Sequence, residues 1–362
     1  MTKLLKSYFF VKVFYIFFGV YVFSRFSALG DSDRYTTSEA ELSIDSLINR
    51  TSLIDLIAGT TTRLLSTPLA SHLLFCILSF YGLNYCLKRS GISKMGMWGV
   101  IFMLSLPDFA MWTSVSGKES FNVFTTGIIM GGLFEILYGK KLTNRLLIGI
   151  CILLSLLVRP HYSIGLISFF CFVLFTQKAS LKSKGILVLN IFLLACFSYI
   201  VYVVALPFIN DGGFVDIAEA YFIGFDDAGA SRNANFWVTS SDYYAKMYSG
   251  SIIALIGPTF SEAIKRPVYF PFFFESLIFI GYILYYLILG IILQVKLKSI
   301  SQYFLFMLFY VIVLTMIMHY PFGIFNSGSA LRYRAAFYHI FIILPVFMYY
   351  YLKSRRPTIK SE

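Results

Sequence analysis

Apolar runs too long for a water-soluble core constrain this chain more than any motif does. About 20 helical residues cross a ~30 Å hydrocarbon layer. Such segments lie near 8–28, 69–87, 95–112, 120–138, 146–158, 163–176, 185–208, 272–295, 303–320 and 336–352. Only 13% of residues are charged, against roughly 25% in a soluble domain. The expected fold is all-α: a polytopic transmembrane helical bundle of about ten helices. It forms one integral membrane domain over 1–362, with no internal repeat.

The charges between the runs orient the bundle. Cytoplasmic loops of membrane proteins carry an excess of Lys and Arg. With both termini in the cytoplasm, most of the 30 Lys and Arg fall on the inner side, while only Glu135 and Glu362 of the 18 acidic residues do. Lys12 is counted there, near the inner end of the first span. The net charge of +12 therefore reads as orientation charge. It forms no basic stripe of the kind that binds nucleic acid. The first run reads as an uncleaved signal anchor. The five cysteines all sit in apolar segments and form no disulfide or metal-binding pattern. Two outer loops are long, about 29–68 and 209–271. Their Tyr, Phe and Trp content points to short amphipathic helices capping the bundle, with Ser251 to Phe260 lying on the membrane or dipping into it.

Four places carry candidate chemistry. The fifth and sixth runs are short, so Arg159-Pro160-His161-Tyr162 is expected to turn below the outer membrane surface. An arginine recessed there marks a functional site, because burying its charge is costly unless it is paired or wet. The last outer loop, Asn326 to Arg334, ends on Arg332 and Arg334, against the orientation rule; arginine forks suit phosphate oxygens. A short hairpin over Pro107, Asp108, Trp112, Lys118 and Glu119 places Asp108 at membrane level, where it needs an arginine partner. There Lys118 can touch a phosphate and Glu119 can serve as a base. Asp31 and Asp33 follow the first span, spaced to bind a cation, accept a proton or hold sugar hydroxyls. His161 and His319 lie at outer helix ends, where they can share protons. His72 and His339 read as packed within the bundle. There is no Walker loop, His-Glu-x-x-His or nucleophile elbow.

Taken together, these features resemble the Wzy-type O-antigen polymerases, the repeat-unit polymerases of bacterial surface polysaccharides. The likeness lies in the span number, the Gly30-Asp31 and Tyr35 element after the first span, and the long late outer loop. It also includes Pro107…Trp112-Thr113-Ser114…Lys118-Glu119 and Asn326…Arg332-Tyr333-Arg334. The resemblance implies an enzyme of the bacterial inner membrane that joins polyprenyl-diphosphate-linked oligosaccharides at the periplasmic face. It implies no cofactor and no metal. Arg159, Arg332, Arg334 and Lys118 would hold the diphosphate, and Asp33, Glu119 and His161 are the candidate bases. Membrane lipid, a chain-length regulator and a flippase of the same pathway are the expected partners. One rival is a GT-C type glycosyltransferase using a polyprenyl-phosphate sugar, which Asp31 and Asp33 imitate and which usually needs a divalent metal. A lipid-linked sugar transporter is the other; charges that avoid the span centres count against it.

Overall fold

Prolines and short polar side chains set many of the helix starts in the computed structural model of this chain. It describes residues 2–178 and 241–355, apart from positions 28, 299 and 325, and parts of 185–196. The described residues are helical with no strand element, so the all-α fold stands. Helix α1 (Thr2–Phe17) continues through a π turn to Arg25. Three short helices follow: α2 (Ser32–Thr37), α3 (Ile44–Ile48) and α4 (Arg50–Leu65). Asn49 caps α4 by accepting from the backbone of Thr51 and Ser52. The first long loop is thus largely helical.

Pro68 opens α5 (Pro68–Arg89) and Pro107 opens α7 (Pro107–Trp112), each tolerated in the first turn because its missing N–H would be unpaired anyway. The expected third span is therefore broken. Helix α6 (Lys94–Leu104) stops at Ser105, and α7 runs on as a separate buried piece. Helix α8 (Lys118–Leu137) is buried along almost its whole length. Helix α9 (Arg145–Val158) ends one residue before α10 (Pro160–Lys178). The turn at 159–162 is thus narrower than expected: only Arg159 leaves the helix.

In the second long loop, 209–240 lies outside the described residues. Beyond it, α11 (Met247–Ile256) packs on the later bundle and α12 (Phe260–Lys265) leads into α13 (Phe270–Lys296). Helix α14 (Gln302–Gly323) contains a π segment, Met307–Val313. Helix α15 (Ser327–Ser354) starts early, because the Asn326 side chain accepts from the Ser329 N–H at 2.9 Å. The expected outer loop carrying Arg332 and Arg334 is therefore helix.

Among the described residues, seven helices are long and apolar enough to cross a membrane: Lys3–Arg25, α5, α8, α10, Pro267–Lys296, α14 and α15. The expected third and fifth spans are the shorter apolar helices α6 and α9. The expected seventh, 185–208, lies largely outside the described residues. Phe10, Phe14, Tyr285 and Val295 are among many large apolar side chains exposed on α1 and α13, as lipid-facing surfaces require. The chain is a multi-pass membrane protein.

Helices α8 and α15 form the centre. Phe134 stacks on Phe347 at 3.8 Å between ring centroids, and Phe279 of α13 stacks on Tyr338 of α15 at 4.2 Å. Helices α5 and α8 touch backbone to backbone, because a side chain at Gly82 would run into Phe124 and one at Gly127 into Gly82. Small residues at such crossings let membrane helices gain van der Waals contact that lipid cannot otherwise drive.

Candidate functional site

Pro160 disfavours helical backbone at the residue before it. Arg159 accordingly takes φ −144° and ψ 64° between α9 and α10. Its carbonyl accepts from the N–H groups of Tyr162 and Ser163 and so starts α10. Its guanidinium, released sideways, donates from Nη2 to Glu119 Oε1 at 2.5 Å. Glu119 lies in the first turn of α8, where the helix dipole favours a negative charge. Arg332 of α15 approaches the same oxygen, Nε to Oε1 at 3.8 Å. It also reaches Asp31 Oδ2 at 3.5 Å and donates to the Tyr333 hydroxyl at 3.1 Å. The Tyr333 ring lies under both guanidinium groups, 4.7 Å from Arg159 and 4.9 Å from Arg332.

Gly30 completes the close approach: its φ of +64° suits glycine, and any Cβ there would occupy the Arg332 guanidinium position. Lys118, beside Glu119, donates to Thr51 Oγ1 at 2.6 Å. Burial, then the charges of Glu119 and Asp31, hold the neighbouring Tyr35 hydroxyl well above its usual range, so it stays a neutral phenol. His161 stacks on Phe322 at 4.9 Å. Its Nε2 has no hydrogen-bond partner among the described residues. Arg159 and Glu119 are buried, whereas the Asp31 side chain is 46% exposed, so the cluster opens at Asp31. Three cations there (Arg159, Arg332, Lys118) face two carboxylates, and such an arrangement can take up an anion.

Arg334 does something else. Residues two apart on a helix point about 200° apart, so Arg334 turns away from Arg332 into the bundle. It donates to Asp108 Oδ2 from Nε and Nη2, at 3.0 and 2.6 Å, and from Nη1 to the Leu255 carbonyl and Ser276 Oγ. Glu275 Oε2 accepts from the Asp108 N–H at 2.8 Å. The guanidinium is fully buried and occupied, so Arg334 is corrected from phosphate ligand to internal strut. The arginine expected above Asp108 is this one.

Asp33 stands outside the cluster. It is exposed in the first turn of α2, while Asp31 enters the cluster. His319 shares no hydrogen bond with His161; it bonds to the Tyr162 hydroxyl and the Ala254 carbonyl. His72 bonds to Ser116, and His339 to Thr126, as packed histidines. Among the described residues no group of three His, Cys, Asp or Glu is placed to hold a metal ion.

Two charged positions are buried against the sequence reading, which counts Lys12 as an orientation charge near the inner end of its span and assigns Glu275 no role. Lys12 is fully buried near the middle of its span and donates to the Thr113 carbonyl and Oγ1 at 2.9 and 2.7 Å. Glu275 is buried early in α13. The expectation that charges avoid the span centres is corrected by Lys12; Glu275 lies near the start of its span. The signal was present, since a lone ionisable residue inside an apolar run is a functional or structural site by default. No family model, no curated protein and no solved structure matches this chain.

Proposed function

We propose that this protein is an O-antigen-type polymerase that joins polyprenyl-diphosphate-linked oligosaccharides at the outer face of a bacterial inner membrane. One observation carries the reading: Arg159 and Arg332, from separate spans, converge on one carboxylate, Glu119, beside Lys118 and Asp31. In the reaction an acceptor sugar hydroxyl forms a bond to the anomeric carbon. The bond from that carbon to the diphosphate breaks, its electron pair leaves with the diphosphate, and the hydroxyl proton passes to a base. Fixed guanidinium groups stabilise charge that develops on the leaving diphosphate. Here Arg159, Arg332 and Lys118 take that role. His161 is favoured as base, since its Nε2 has no partner among the described residues, whereas Glu119 is engaged by two arginines. The expected partners are the lipid-linked oligosaccharide, surrounding lipid, and a chain-length regulator and flippase.

The test is a gel of surface polysaccharide from a parent strain and a clean deletion. Loss of the long ladder with one repeat unit retained supports the polymerase. Loss of every repeat, or an intact ladder with shifted rungs, rejects it.

A transporter of lipid-linked sugars is the second reading, favoured by Lys12, Asp108, Glu275 and Arg334 inside the bundle. Deletion would then abolish every repeat.

A further inference from the structure

Glu119 and Glu135 lie near opposite ends of α8, about 24 Å apart along its axis. The Glu135 end carries a second built site. There the C-termini of α8, α10 and α15 surround a cavity of about 640 Å3, lined by Tyr138, Thr176, Gln177, Tyr303, Tyr351 and Arg355 among others. Small-molecule and headgroup sites have volumes of about 300–1,000 Å3.

Tyr138, Tyr351 and Arg355 line it, and Lys140 follows the lining residue Gly139 in the chain. Tyr138 and Tyr351 meet edge to face, 5.8 Å between centroids. Lys140 lies over the Tyr138 ring at 5.8 Å, and Arg355 over the Tyr351 ring at 4.6 Å. Both cations are exposed. The Tyr351 side chain is buried, and its hydroxyl has no hydrogen-bond partner among the described residues. A buried hydroxyl left unpaired is unfavourable, and an acceptor in the cavity would satisfy it. Three helix C-termini contribute about half a negative charge each. Lys140, Lys178, Lys353 and Arg355 at this end outweigh them.

We propose that this cavity binds a phosphate ester, with Lys140 and Arg355 on the phosphate oxygens and the Tyr351 hydroxyl donating to it. The charge pattern puts this end in the cytoplasm, so an anionic lipid headgroup of the inner leaflet is the expected source. The site stands apart from the arginine cluster and does not rest on the polymerase reading.

The test uses the full chain purified in detergent and delipidated, with binding of phosphatidylglycerol and phosphatidylcholine followed by native mass spectrometry. Selective binding of phosphatidylglycerol is expected, about tenfold weaker in a Lys140→Ala/Arg355→Ala variant and about threefold weaker in Tyr351→Phe. Lys140→Arg/Arg355→Lys keeps both charges and should keep selectivity, which covers the case where the alanine variant does not fold. Displacement by millimolar inorganic phosphate would assign the site to free phosphate; its failure assigns it to the lipid. Equal binding of both lipids, or unchanged binding in folded alanine and Tyr351→Phe variants, overturns the proposal.

Discussion

Arg334 grips one carboxylate oxygen of Asp108 through two nitrogens, at 3.0 and 2.6 Å, with neither side chain exposed to solvent. Removing one partner of a buried pair strands the other charge and costs about 3–5 kcal/mol. Arg334→Ala should therefore lose most folded protein, while Arg332→Ala, two residues away, should not. Melting and size-exclusion profiles of the detergent-purified variants check this. Parent-like melting of Arg334→Ala would contradict the assignment.

At the arginine cluster the expectation reverses. Arg159→Ala and Arg332→Ala should each cut polymer formation at least ~10-fold while protein levels hold, in line with losing one fixed donor to a developing charge. Polymer ladders compared with immunoblots supply the measurement. Full ladders in both variants would remove the diphosphate role.

Lys12 separates a strut from a carrier. Replacing a buried ionisable group by an apolar one of similar volume is often neutral or stabilising, so Lys12→Met should fold and, if the amino group only braces Thr113, extend polymer as the parent does. Loss of transport with folding intact would instead favour the transporter.

The crossing of α5 and α8 leaves no room for a methyl group. Gly82→Ala should destabilise the protein by about 1–3 kcal/mol, the usual range for overpacking, seen as a lowered melting temperature. An unchanged melt would mean that the helices can separate without loss.

Chelation discriminates the rival transferase. With Asp31 committed to Arg332 and Asp33 exposed, activity of membranes washed with a divalent-metal chelator should match that of untreated membranes. Loss of activity restored by added metal would support the GT-C type reading.

Much of this architecture was legible in the sequence because membrane spans announce themselves by length and apolarity. Pro160 gave the break that frees Arg159, and the polar run from Asn326 contains the cap of α15. In sequence that same run reads as a loop, since Ser and Gly also suit turns, and the length of α15 depends on packing against α8 and α13. The bond between Asp108 and Arg334 spans 226 positions of sequence, a distance over which local pattern carries no pairing information. Lys12 and Glu275 are visible as isolated charges, but their partners, the Thr113 carbonyl and hydroxyl and the Asp108 N–H, lie 101 and 167 positions away, where local pattern carries no pairing information.

The opposite directions of Arg332 and Arg334 have a mechanical consequence. With Arg334 fastened to Asp108 and the Leu255 carbonyl, α15 resists rotation about its own axis. Arg332, less than one turn away, inherits that torsional anchor. The arginine cluster thus behaves as a fixed-gauge fitting, and the anion proposed for it would have to match its spacing instead of pulling the helix to meet it.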